Sequence, residues 1–198
     1  MAYEPSEGLY AGLSLIDTST LKEAKNGGQK FLDLYNMSVN MLKESKDIKE
    51  KGTQTRNGLA AALDISSATE KKKGDVYDDL AGAISAVLAT RKDVKSDIPK
   101  AVYLTGNRWH KDVEEFKVDA FGMADYNSSD LILFYPPNQY VGVSLKKKRK
   151  ADAPSPTMIN NAFSKFVTGP EFLELRKKLD KERKRFFATE IKKASTGK

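Results

Sequence analysis

Cysteine is absent from this 198-residue chain, and histidine occurs once, at His110. The first absence excludes disulfides, thiol catalysis and cysteine-ligated zinc. The second excludes a multi-histidine metal site within one chain and leaves any Ser-His-Asp arrangement only His110 to build on. No apolar run approaches the roughly 20 residues of a membrane-spanning helix, and the opening MAYEPSEG has neither the basic nor the apolar region of a signal peptide. A soluble, intracellular protein is expected. The turns at Gly27-Gly28 and Lys73-Gly74 lack the spacing of a phosphate-cradling loop, so nucleotide hydrolysis has no sequence support. Any catalysis must rest on carboxylates and lysines.

What the chain has in excess is positive charge. Lys and Arg total 34 against 27 Asp and Glu, a net charge of +7. Such a balance favours a polyanionic partner, nucleic acid first. The excess gathers in Lys146–Lys150 and in 176–193, so solvated helix faces and a basic tail are the alternative explanation. The length allows one core of catalytic size with a helical appendage, not two large domains.

Along the chain the first half reads as helical and the centre as a sheet. After a turn-rich opening with Gly8 and Gly12, a helix is expected over 17–25, with Ser and Thr suited to capping it, and Gly27-Gly28 ends it. Phe31, Leu32, Tyr35, Val39 and Leu42 recur at helical spacing and predict an amphipathic helix from Gln29 to about Lys49. The stretch 51–74 reads as mostly irregular. Asp75 then caps a helix whose stripe of Val76, Leu80, Ile84, Val87 and Leu88 is expected to cover the sheet. Ile98–Thr105 is β-branched and aromatic and predicts a strand. Arg108–Val118 follows as helix, with Trp109, Val113 and Phe116 in phase. Beyond a Pro- and Ser-containing break after Lys150, helices are expected over Met158–Val167 and Glu171–Lys193.

The most informative stretch is DLILFYPPNQYVGVSLKKK, from Asp130 to Lys148, which predicts a hairpin of Asp130–Tyr135 and Tyr140–Lys147 around a Pro-Pro turn. Successive strand side chains point to opposite faces. Val141, Val143 and Leu145 therefore share one side, while Gly142, Ser144 and Lys146 share the other, where Lys146 can face Asp130. An acid and an ammonium so placed can hold a divalent cation and assist an attacking water on phosphate. The plainer reading makes Asp130 a turn residue after Asn127-Ser128-Ser129.

With these elements placed, 75–167 resembles the PD-(D/E)xK nuclease superfamily, particularly phage-encoded members with a GVSLK-like second strand. That family pairs an acid opening one strand with an acid or substitute, one residue, and lysine on its neighbour, flanked by helices and usually followed by a fourth strand. Asp130 matches the first acid, and Ser144-Leu145-Lys146 the second element. The resemblance implies an α/β (α+β) fold, a small mixed central sheet flanked by helices. Its parts would be a helical N-terminal region (1–74), a nuclease-like core (75–168) and a basic C-terminal helix (169–198). It implies Mg2+ or Mn2+ as cofactor, held by Asp130, the Leu145 backbone carbonyl and a further acid, with Lys146 positioning water. Serine at 144 offers only a weak neutral oxygen, so the further acid must come from elsewhere. Glu114 is the first choice, with Glu115, Asp119 and Asp125 behind it, and His110 is a lesser candidate ligand or base.

Lys147, Lys148, Arg149 and Lys150, with Asn160 and Lys165 on the following helix, are the expected phosphate contacts. The expected partner is DNA rather than RNA, with no membrane, and homo-oligomer or phage structural protein as alternatives. The location is cytoplasmic, in the bacterial host if the chain is phage-encoded, or else virion-associated. The rival reading, favoured by Ser144, is a non-catalytic DNA-binding or virion-assembly protein on a decayed nuclease fold. A helical scaffold is the third.

Overall fold

A computed structural model describes residues 3–25, 27–105, 108–116 and 129–145, and beyond these only positions 174, 177, 178, 181, 182 and 185. The chain divides into two units, residues 1–118 with 127–147 and residues 119–126 with 148–198. In the second, the described positions are helical and carry the i,i+3 pairs Glu174–Lys177 and Glu182–Arg185. The expected helix over 158–167 lies outside the described residues, as does most of 171–193.

The first unit is α+β. Its elements are α1 (Pro5–Leu13), α2 (Thr18–Ala24), α3 (Gln29–Glu44), β1 (Ile48–Lys49), α4 (Gln54–Leu63), α5 (Glu70–Val94), β2 (Ala101–Leu104), a 3-10 helix (Lys111–Phe116), β3 (Leu131–Tyr135) and β4 (Gln139–Val143). Among the described residues no helix is long and apolar enough to cross a membrane.

The opening segment, expected as turn, is instead the central helix. Every residue of α1 from Gly8 to Leu13 is buried. Gly8 and Gly12, one helical turn apart, share a face. A Cβ at Gly12 would collide with the Ser38 carbonyl, and one at Gly8 would meet Leu63 Cδ1 at 2.9 Å and Leu42 Cδ2 at 3.1 Å. These glycines let α3 and α4 approach α1 closely, which no turn requires.

The other helices differ from expectation mainly at their ends. Asp17 caps α2 as read, accepting the Thr20 backbone N–H at 2.9 Å. The segment 51–74 is more regular than its composition suggests. It holds α4, started by the Glu50 carboxylate, which accepts the backbone N–H groups of Thr55 and Arg56. α5 begins at Glu70, capped by Thr69 rather than Asp75, so a boundary after residue 74 would run through it. Its buried stripe reaches from Val76 to Arg91.

Arg91 fastens α5 to the α1–α2 connection. Its guanidinium donates to the carbonyls of Ser14 (2.9 Å) and Ile16 (2.6 Å) and to Thr18 Oγ1 (2.9 Å), and pairs with Asp97 at 2.9 Å. Burial lowers its pKa, and Asp97 opposes that shift.

The sheet has the order β1-β2-β3-β4, with β1 parallel to β2 and the remaining pairs antiparallel. Among the described residues its fourth strand is Ile48–Lys49, two residues that the sequence assigns to the end of α3. Ile48, Val102, Leu104, Leu131, Leu133 and Tyr135 join the helices in the main core. On the opposite face Ala101, Tyr103 and Ile132 are covered by Trp109 and Val113 in a smaller core. The expected stripe of 108–118 thus packs on the sheet, although the turn it forms is 3-10.

Candidate functional site

The predicted strand phase is realised in the hairpin. Leu131 pairs with Val143 and Ile132 with Gly142, and the turn between the strands contains a cis Pro136–Pro137 peptide. Leu131 and Leu133 enter the main core with Val141, Val143 and Leu145 packed against it, whereas Ile132, Phe134 and Tyr140 belong to the second face. One step past the Leu131–Val143 pair stand Asp130 and Ser144, the first half-buried and the second exposed.

Asp130 is fixed by three contacts. Its backbone N–H donates to the Val143 carbonyl at 2.8 Å, and its carbonyl accepts from Thr105 N–H at 3.5 Å. Its carboxylate Oδ2 accepts the Leu145 backbone N–H at 2.6 Å. The strand-opening residue that sequence reasoning weighed as either ligand or local cap therefore does cap the end of β4. The same bond holds the backbone of Leu145, whose carbonyl is a candidate ligand, beside the Asp130 carboxylate. Lys146, Lys147, Lys148, Arg149, Lys150, Asn160 and Lys165, with Asp119 and Asp125, lie outside the described residues.

Glu114 lies on the 3-10 helix with its carboxylate 3.5 Å from Lys51 Nζ, both side chains more than half exposed. Glu115 is exposed as well. A different carboxylate is buried. Asp79, 8% exposed, lies on the inward stripe of α5 between Val76 and Ala83. Asp79 shares that stripe with Leu80, Ala83 and Ile84, which pack in the main core.

A second polar constellation, which sequence reasoning missed apart from His110, occupies the second face. Asp112 Oδ2 accepts from Lys49 Nζ at 3.2 Å and from the Tyr103 hydroxyl at 3.0 Å. Lys49 also stands over the Tyr103 ring, 5.4 Å from its centroid. His110 Nδ1 accepts the Asp112 backbone N–H at 3.2 Å, lies 3.5 Å from Asp112 Oδ1, and its ring is 5.5 Å from that of Tyr103. Burial raises the Asp112 pKa, but the bonds from Lys49 and Tyr103 outweigh it, and the carboxyl sits below its usual range. Burial first, and the bond to Asp112 second, push the Tyr103 phenol far above its usual value. Lys49, Tyr103 and Asp112 come from three separate elements, so only the β1–β2 register could have revealed the group.

Among the described residues no three His, Asp or Glu side chains gather closely enough to hold a metal ion by themselves. Comparison of the chain with protein-family models, with curated proteins and with solved structures returns no match.

Proposed function

We propose that the chain is a metal-dependent nuclease acting on DNA, with a restriction-endonuclease-like core formed by α5, β2, β3 and β4. The observation that carries this reading is the hairpin end, where Asp130 and Ser144 stand one step past the Leu131–Val143 pair and the Asp130 carboxylate accepts the Leu145 backbone N–H. Charge supports it, since Lys146–Lys150 follow directly and the whole chain is at +7.

The donor set suits a magnesium-type ion, which needs only one or two carboxylates besides waters and substrate phosphates. Asp130 and the Leu145 carbonyl would hold it. Glu114, the first choice from the sequence for a second carboxylate, is exposed and paired with Lys51. Mg2+ or Mn2+ bound there supplies Lewis-acid charge stabilisation at the phosphate. Lys146 orients the attacking water, whose oxygen bonds to phosphorus as the bond to the leaving deoxyribose oxygen breaks, with the water proton ending on that oxygen. Lys147, Lys148, Arg149 and Lys150 grip flanking phosphates, and Asn160 and Lys165 add contacts from the following segment.

Ser144 favours a second reading, a DNA-binding protein without cleavage. Incubation with plasmid and with single-stranded DNA, in Mg2+, Mn2+ or EDTA, separates the two. Cleavage that needs the metal and is lost in Lys146→Ala is expected. Equal inertness of wild type and Lys146→Ala, with DNA still retarded in a gel, overturns the nuclease reading in favour of binding.

A further inference from the structure

The nuclease reading does not use His110, the single histidine of the chain. We infer that His110 is a proton-operated latch on the 3-10 helix that covers the second face of the sheet. Its Nδ1 accepts the Asp112 backbone N–H at 3.2 Å, within the first turn of that helix. Only a neutral imidazole carrying its proton on Nε2 can accept there. The same Nδ1 faces Asp112 Oδ1 at 3.5 Å.

Protonation converts Nδ1 from acceptor to donor. The bond to the backbone N–H is then lost, and the imidazolium turns to the Asp112 carboxylate. That carboxylate is already shared. Lys49 from β1 and the Tyr103 hydroxyl from β2 both donate to its Oδ2, and the Tyr103 ring flanks the imidazole. The next ion pair along the helix, Lys51 with Glu114, links β1's end to the same turn. The imidazolium faces Oδ1 while Lys49 and Tyr103 hold Oδ2, so two cations crowd one carboxylate and the helix loses one of its initiating bonds.

The consequence reaches the small core, because this helix and the residues before it supply the cover. Trp109 (5% exposed) precedes His110 directly, and Val113 (0% exposed) lies one turn on. Both pack against Ala101, Tyr103 and Ile132. Acidification is thus expected to loosen Trp109 while the main core, on the other face, stays intact. This inference does not depend on the nuclease reading.

Trp109 is the sole tryptophan, so its fluorescence reports the latch directly. Emission is measured across about pH 5–8, where imidazoles titrate, with far-UV circular dichroism to confirm the fold and the His110 ring proton followed by NMR. One reversible emission change coincident with the histidine titration is expected, absent in His110→Ala. Asp112→Asn removes the carboxylate that receives the imidazolium and should lower the midpoint by about half a pH unit or more. Lys49→Met removes the competing cation and should raise it. Persistence of the transition in His110→Ala, a histidine that titrates while Trp109 emission stays flat, or midpoints unmoved in both charge variants overturns the inference.

Discussion

Replacing Asp130 with asparagine and with alanine separates its structural from its chemical role. Its carboxylate accepts the Leu145 backbone N–H at 2.6 Å, while the backbone bond to Val143 survives any substitution. A bond to a charged acceptor contributes about 1.5–3 kcal/mol and a neutral one about 1. At this half-buried strand end, Asp130→Ala should cost about 1–2 kcal/mol. Asp130→Asn keeps an acceptor oxygen and should cost less than about 1 kcal/mol. Urea denaturation followed by circular dichroism resolves that difference. The chemistry orders the variants differently, because neither side chain carries the charge that holds a cation. Both should cleave DNA more slowly by at least about 100-fold, the upper range for loss of an outer-shell partner. Asparagine cutting like wild type would remove Asp130 from the proposed site. Alanine as stable as wild type would refute the cap.

Three further outcomes test the scaffold. Gly12→Ala sets a methyl against the Ser38 carbonyl and should destabilise by about 3 kcal/mol or more, the upper range for overpacking; a thermal midpoint within a degree or two of wild type would show that α1 and α3 can part freely. Arg91→Met orphans the carbonyls of Ser14 and Ile16, an expected loss of about 2–4 kcal/mol by denaturant titration. Loss below about 1 kcal/mol would mean that water replaces the guanidinium. The third outcome concerns alkali. Burial pushes the phenols of Tyr35 and Tyr135 up to about 12. They stay neutral in the fold after an unfolded tyrosine ionises, so stability is complete below pH 10 and falls as pH climbs towards 12. Two units at each tyrosine remove about 2.7 kcal/mol apiece. Tyrosine absorbance and circular dichroism recorded together should therefore change together, and ionisation of every tyrosine with the helices intact would contradict the burial argument.

How much of this fold was legible in the sequence depended on how local each cause is. The hairpin was readable because strand signals are written in consecutive residues, LILFY as a continuous apolar run buried on both faces and YVGVS as the alternating one that sets the phase. The stripe of α5 was readable from its periodicity, that of α3 only in part, since Tyr35 and Leu42 are buried but Leu32 is exposed and Leu34 and Ser38 are buried in its place. α1 was not. Its glycines look like punctuation, and their cause, close approach of the Ser38 carbonyl and the Leu42 and Leu63 side chains, lies far along the chain. β1 was not readable either, since two residues acquire strand geometry only by pairing with Val102 and Tyr103. The 3-10 turn at 111–116 kept the predicted inward residues Trp109 and Val113 while changing the helix type, so pattern specified burial without specifying pitch.

The candidate site divides along the same line. Asp130 and Ser144 stand one step past the Leu131–Val143 pair, at the end of a register that two adjacent strands dictate, and this much the sequence contained. The acid to accompany them was harder, because Glu114 was chosen for its nearness in sequence to the hairpin. Helical phase pointed elsewhere. At 100° per residue, Asp79 lies about 40° from Ala83 and about 60° from Val76, within the stripe that packs inward, and it is buried accordingly. That burial places Asp79 with the main core, whereas Glu114, exposed beside Lys51, needs no explanation beyond solvation and a weak ion pair. Nearness in sequence to a motif does not bring a carboxylate to it, because the face of a helix that packs inward decides where its side chains go. The acid that accompanies Asp130 is thus the part of the site that neither periodicity nor nearness in sequence supplies.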